Sequence, residues 1–264
     1  TFFPQLISGP IVHHREMMPQ FEKRNNRDSI GRGIIVGLVI FILGLFKKVV
    51  LADSIAPFVD HGFTLFNQLT FIEAWLISIG YSLQLYFDFS GYSDMAIGLG
   101  LMFGFKLPQN FETPFRASSM INFWKKWHIT MTRFFMFYLF SPIALSITRA
   151  LGNTNVISKF VICVAFPIII TFFLSGLWHG ANWTFVLFGL VNAFGLIVNY
   201  FWREFRFFRI NFYIGWLLTI LTIIVSFVFF RSPTTLVAIT MLKTMFSFDS
   251  ILLPNFMYSI AQSF

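Results

Sequence analysis

Residues 160–202 read FVICVAFPIIITFFLSGLWHGANWTFVLFGLVNAFGLIVNYFW, and this stretch decides the fold. The 19 residues from Phe160 to Trp178 and the 20 from Trp183 to Trp202 contain no Asp, Glu, Lys or Arg. A helix needs about 20 residues to cross the ~30 Å hydrocarbon layer, so each run can span it. A membrane β-barrel instead needs short segments of about 10 residues that alternate in and out, and neither run alternates. Between the runs stand His179, Gly180, Ala181 and Asn182, of which Gly180 and Asn182 suit a break between two helices. An ionisable side chain at membrane depth marks function by default, which makes His179 the first candidate site residue.

The rest of the chain agrees. It is 56% hydrophobic, 20% aromatic and 11% charged, with a mean hydropathy of +0.73, against about 25% charged in a soluble domain. A further charge-free run of 19 residues covers 212–230. Shorter apolar stretches at 34–50, 71–87, 91–105 and 134–148 bring the expectation to six to eight membrane-embedded helices, some entering without crossing. The fold class is therefore all-α, a polytopic membrane helix bundle with broken or re-entrant helices, read as a single domain over 1–264. The chain opens Thr1-Phe2-Phe3-Pro4 with neither an initiator Met nor a cleavable signal, and reads as a piece lacking N-terminal helices. Its one cysteine, Cys163, lies in an apolar run, reads as packing, and excludes a disulfide framework.

The net charge of +8 follows the positive-inside rule and does not point to nucleic acid. Residues 15–32 (Arg15, Lys23, Arg24, Arg27, Arg32) and 203–209 (Arg203, Arg206, Arg209) are placed in the cytoplasm, whereas 53–73 (Asp53, Asp60, Glu73) forms an outer loop. Lys47 and Lys48 then fall near the outer end of their helix, where they snorkel to the interface or line an interior cavity.

Intramembrane polarity concentrates in 81–133. Asp88 and Asp94 sit among Tyr86, Phe87, Phe89 and Tyr92, and must be paired, neutral or wet, because burying an unpaired carboxylate costs several kcal/mol. Either Asp88 and Ser90 cap the helix that follows, with Gly91, Gly98, Gly100 and Gly104 allowing close packing, or the carboxylates meet substrate. Pro108 and Pro114 make 104–116 a loop or half-helix break. Residues 122–134 then form an amphipathic helix with Trp124, Trp127, His128, Met131 and Phe135 on one face and Lys126, Thr130 and Arg133 on another, and composition alone makes it an interfacial helix.

Taken together, the two histidine segments, Gly9-Pro10-Ile11, Phe46-Lys47-Lys48, Asp53, the run from Tyr86 to Asp94, and Asn110-Phe111 closely resemble the membrane-bound O-acyltransferases, in particular their bacterial alginate O-acetyltransferase branch, over about residues 2–231. The resemblance implies helices around an intramembrane catalytic tunnel in the bacterial inner membrane. It matches His179 to the catalytic histidine and His128 to a second functional histidine. It also implies acetyl-CoA or another acyl thioester as donor substrate, a polysaccharide acceptor and an extracytoplasmic acetyltransferase partner protein, with no tightly bound cofactor. Asn182, Asp88, Trp178 and Lys126 complete the candidate set as substrate-binding residues. Where many members carry Arg-Asp-Tyr and Pro-Leu-Gly-Gly, this chain has Met136-Phe137-Tyr138 and Ser141-Pro142-Ile143-Ala144, which bears on acceptor or partner identity.

The chemistry fits those residue types. Acetyl transfer from a thioester to a hydroxyl needs a base for the hydroxyl proton, a role worth about 10²–10⁴ in rate, which neutral His179 suits. A second donor, His128 or Asn182, can steady the oxyanion. If the basic segment 106–133 is cytoplasmic it can dock an anionic donor, so that the acetyl group crosses through the protein while the coenzyme stays inside. His13, His14 and His61 read as solvated or loop residues, and no metal-ligand spacing, nucleophile elbow or phosphate loop occurs. The alternatives are D-alanyl or other acyl transfer to a teichoic acid or peptidoglycan acceptor, and a polytopic transporter in which His179 relays protons.

Overall fold

The computed structural model describes residues 9–22, 27–152, 154–205 and 208–247, and side chains are described for these except 27–30. All regular structure among them is helical. In chain order there are α1 (His14–Glu22), α2 (Arg27–Phe46), a π-helical stretch (Lys47–Ala52), α3 (Asp53–Thr64), α4 (Phe71–Met102), α5 (Met120–Trp124), α6 (Ile129–Phe135), a second π stretch (Met136–Phe140), α7 (Ser141–Ala150), α8 (Val156–Phe160), a third π stretch (Val161–Ala165), α9 (Phe166–His179), α10 (Trp183–Glu204), α11 (Phe212–Arg231) and α12 (Thr235–Phe246). Among the described residues, five helical spans are long and apolar enough to cross a membrane: Gly31–Thr64, Ile129–Ala150, Val156–His179, Trp183–Glu204 and Phe212–Arg231. The chain is a multi-pass, all-α membrane protein. Three of the five spans contain a π stretch. Lys23, Arg24 and Arg206, on which the charge reading partly rested, lie outside the described residues, as does the chain after 247.

Two compact units divide these elements. In the first, α2 meets the C-terminal half of α4 backbone to backbone. A Cβ added at Gly37 would lie 2.5 Å from the Gly98 carbonyl oxygen, one at Gly44 2.5 Å from that of Gly91, and one at Gly33 2.8 Å from that of Leu101. Lipid offers no hydrophobic drive for helix pairing, so close approach through small residues supplies the contact instead. The opposite face of α2 is apolar and outward, with Ile35 68% and Leu43 56% exposed, as a lipid-facing surface requires. Beside this pair, Met17 of α1 packs with Ala96 and Leu107, and Arg133 bridges to Glu16 at 2.7 Å.

The second unit is built on α9, α10 and α11. Gly176 lets α9 reach the Phe185 backbone of α10, and Gly189 lets α10 reach that of Phe172. Ile223, Phe227 and Val228 of α11 and Met241 and Met245 of α12 are each no more than 2% exposed. Trp75 Nε1 donates to the Met245 carbonyl at 2.7 Å, fixing the N-terminal half of α4 within this unit.

Four local expectations are corrected. Stretches 71–87 and 91–105 are not two helices: α4 is one helix of 32 residues. Asp88 and Ser90 are therefore interior to it and cap nothing. The helix tolerates Asp88 because it has a cation to pair with, while Ser90 is 1% exposed and its Oγ has no hydrogen-bond partner among the described residues. The acidic stretch from Asp53 is no loop but continues helically to Thr64. The amphipathic helix expected over 122–134 is broken between Trp124 and Ile129. Asn110 takes the donors that a continuous helix would have used: its carbonyl accepts from Ile129 N at 2.9 Å and its Oδ1 from Thr130 N at 3.2 Å.

Candidate functional site

In the first unit the site is centred on His128. The residue takes a left-handed backbone conformation, φ 45°, which a non-glycine residue adopts at a cost of about 1–3 kcal/mol and usually where function requires it. Its ring is 5% exposed. It meets Phe89 edge-on at 4.6 Å between centroids and stacks on Phe111 at 6.5 Å. Nδ1 lies 3.0 Å from Asn110 Oδ1. The same oxygen accepts from Thr130 N at 3.2 Å and from the Thr130 hydroxyl at 2.9 Å. Thr130 Oγ1 in turn accepts Ile11 N at 3.0 Å. The Gly-Pro-Ile segment, the Asn110-Phe111 pair and the Trp-His-Ile segment, far apart in sequence, thus converge on one imidazole. Tyr86 and Trp127, 6.2 Å apart between centroids, extend the aromatic wall around it.

The charged residues of the same unit form a second cluster. Lys47 Nζ pairs with Asp94 Oδ2 at 2.6 Å, and Lys48 Nζ with Asp53 Oδ1 and Asp88 Oδ1 at 2.7 Å each. The lysines face carboxylates of α3 and α4, which settles how they are accommodated inside an apolar span and why Asp88 and Asp94 can sit there. Asp88 is thereby committed to Lys48. Lys126 is half-buried, its Nζ 4.0 Å from Glu112 Oε1, and its carbonyl accepts from Glu112 N at 2.9 Å, so it closes the loop before His128.

His179, Trp178 and Asn182 belong to the second unit. His179 ends α9, and Gly180 breaks the chain before α10, as the residue types at 180–182 led us to expect. The imidazole is collared by rings: Trp178 at 4.8 Å, Phe230 at 5.0 Å, Phe188 at 5.8 Å and Phe185 at 6.3 Å between centroids. Among the described residues no hydrogen bond engages either of its nitrogens. The four rings hold the plane of the imidazole. Asn182 has a structural duty, since its Oδ1 accepts from Thr184 N at 3.2 Å as the N-cap of α10. Its Nδ2 donates one proton to the Pro233 carbonyl at 2.9 Å, and its second proton has no partner among the described residues. Trp178 is 57% exposed, touching His179 with its ring.

Several participants escaped the sequence reading. Asn110, 0% exposed, was noted as a motif residue but given no role. Phe230 came from a span that looked uniformly apolar. Arg231, next to it, is held by Asp60 Oδ1 at 2.6 Å and lies 5.3 Å over the Phe63 ring, anchoring the end of α11 that presents Phe230 to His179. Asn192 and Thr184, both 0% exposed on α10, are buried polar residues of this unit that the sequence reading also gave no role. A polar side chain in a charge-free span was the available signal for these two.

A family model described as MBOAT, membrane-bound O-acyltransferase family, matches residues 1–238. The chain is 46% identical over 255 residues to a peptidoglycan O-acetyltransferase of Helicobacter pylori, an alignment covering 95% of this chain and 46% of that protein. It is 39% identical over 254 residues to a probable alginate O-acetylase of Azotobacter vinelandii, covering 94% and 47%. A teichoic acid D-alanyltransferase of Bacillus subtilis aligns at 26% identity over 194 residues, covering 73% and 48%. The chain spans about half the length of the curated relatives it matches.

Proposed function

We propose, from the premise that this chain belongs to the membrane-bound O-acyltransferase family, that it carries the acyl-transfer centre of an enzyme moving an acetyl group from a cytoplasmic thioester to a hydroxyl of an extracytoplasmic glycan. The observation that carries the reading is the state of His179: an imidazole with no hydrogen bond to either nitrogen among the described residues, gripped by four aromatic rings at the break between two spanning helices. In this reading neutral His179 takes the proton of the acceptor hydroxyl as its oxygen attacks the thioester carbonyl. The new C–O bond forms, the C–S bond breaks, and the thiolate leaves. The free Nδ2 proton of Asn182 is a candidate donor to the oxyanion. His128, Trp178, Lys126 and Asp88 remain candidates for substrate contact, Asp88 only if Lys48 yields it.

Identity of 46% to a peptidoglycan O-acetyltransferase, against 39% to an alginate O-acetylase, supports peptidoglycan ahead of an alginate-like polymer as acceptor. The weaker likeness to a teichoic acid D-alanyltransferase keeps acyl transfer common to all three while ranking D-alanine below acetate. A bacterial inner-membrane location, a single working domain and an extracytoplasmic partner protein go with this reading. The decisive experiment gives the purified, reconstituted protein labelled acetyl-CoA and glycan strands. Wild type should form an O-acetyl ester, and His179→Ala, folded by thermal melting, should form none. Normal ester formation by that variant would overturn the role, and solute uptake without covalent change would indicate a transporter.

A further inference from the structure

The hydrogen bonds around Asn110 determine which nitrogen of His128 carries its proton. A backbone N–H can only donate, so the Asn110 atom 3.2 Å from Thr130 N must be the amide oxygen and not the nitrogen. That same oxygen is 3.0 Å from His128 Nδ1. An amide oxygen only accepts, so Nδ1 must hold a hydrogen. The Thr130 hydroxyl is consistent with this, since it donates to the oxygen at 2.9 Å and has its own lone pair filled by Ile11 N at 3.0 Å. In the neutral ring, one nitrogen donates and the other accepts, so the lone pair falls to Nε2. Free histidine in water prefers the opposite tautomer.

We propose that Asn110 is a positioning residue that locks His128 as the Nδ1-protonated tautomer, so that the neutral ring carries its lone pair, and not a donor, at Nε2. This rests on the reading of His128 as part of an acyl-transfer site and changes the role assigned to it: at Nε2 the neutral ring can accept a hydrogen bond or proton but cannot donate one, so it is not the oxyanion donor. Two further features fit a held, functional ring. The left-handed backbone at residue 128 aims it, at an energetic cost, against Phe89 and Phe111. Asn110 is also 0% exposed, with Nδ2 finding no partner among the described residues, so the side chain is kept in place by what its oxygen does.

The test is spectroscopic first and kinetic second. In membrane-reconstituted protein labelled with ¹⁵N-histidine, the His128 signal is identified by its loss in His128→Gln, and its one-bond N–H coupling is read above the ring's titration. The expected spectrum has the proton on Nδ1 and a bare Nε2, and a proton on Nε2 overturns the proposal. Asn110→Asp keeps the acceptor and should keep the Nδ1 proton. Asn110→Leu removes it, and should return the ring towards the Nε2-protonated form and lower kcat by about 10²–10⁴-fold with KM little changed, the range lost when an acid–base group is misassigned. Wild-type turnover in folded Asn110→Leu also overturns the positioning role. If Asn110→Leu does not fold, the wild-type and Asn110→Asp spectra decide. Unchanged turnover in His128→Gln would instead sink the functional reading of His128 and leave the tautomer assignment standing.

Discussion

Gly98→Ala adds one methyl group where α2 and α4 touch. Its Cβ would stand 2.5 Å from the Gly37 carbonyl oxygen, 2.8 Å from Phe41 N and 3.1 Å from Phe41 Cα. Ordinary contact begins at 3.4 Å, so the closest approach is short by 3.4 − 2.5 = 0.9 Å. All three neighbours are backbone, so no side chain can rotate away and the helices must separate. Overpacking of this kind costs about 1–3 kcal/mol, and the upper end applies where nothing flexible yields. Against it stands the gain of about 1 kcal/mol from replacing a helical glycine by alanine. The net loss is about 2 kcal/mol, or roughly 4–8 °C in melting temperature for a chain of this size. Gly31→Ala is the control, since nothing lies within 4 Å of a Cβ there, and it should be neutral or slightly stabilising. Melting of both variants in detergent, followed by the temperature dependence of the monodisperse fraction, provides the measurement. A Gly98→Ala midpoint at or above that of Gly31→Ala would refute the backbone-contact account of this helix pair.

Other outcomes follow from the ion pairs, the collar and the spans. Lys48→Met strands Asp53 and Asp88 inside an apolar span, so the yield of folded protein should drop and Asp88→Asn added to it should restore part; an undiminished yield for the single variant would show that the pairing is incidental. Phe230→Ala removes the ring 5.0 Å from His179, and should lower kcat more than it lowers melting temperature, whereas a loss of stability alone would make the collar mere packing. Asn155→Ala deletes the N-cap contact to Ser158 N at 2.8 Å and should cost about 1 kcal/mol in thermal melting. If the basic segment 149–159 (Arg149, Lys159) lies in the cytoplasm with 203–209, a cysteine at Ser158 in a Cys163→Ala background should escape an impermeant thiol reagent in sealed cells, and its labelling would reverse that orientation.

The sequence made the spans legible because lipid imposes one rule on every residue of a segment, so a charge-free run of about 20 residues can be read without knowing its neighbours. The break at Gly180 was readable for the same reason: the residues that end α9 and cap α10 act locally. What could not be read was pairwise. Lys47 and Lys48 looked anomalous until the carboxylates of Asp53, Asp88 and Asp94 were placed against them, and Asp88 looked like a cap because nothing local names its partner. The break before Ile129 was hidden because it depends on Asn110, nearly twenty positions earlier. Periodicity alone carried a helix straight through it. The role of His128 had the same dependence, since its tautomer is written in Asn110 and Thr130 and not in its own surroundings along the chain.

The π stretch at Val161–Ala165 acts as a phase corrector between two fixed points. Upstream, Phe160 packs on Phe201 at 5.4 Å near the end of α10, and downstream Gly176 is seated on Phe185 near its start. An uninterrupted α-helix advances about 100° per residue and would bring one of these faces into register with α10 at the expense of the other. The wider turn absorbs one surplus residue and lets both ends face the same neighbour. Deleting a single residue there would scarcely shorten the span, yet it would swing Phe166–His179 round its axis by about 100° and carry the imidazole out of its collar. In this protein the aim of His179 is set more than a dozen residues upstream, by a local change of pitch.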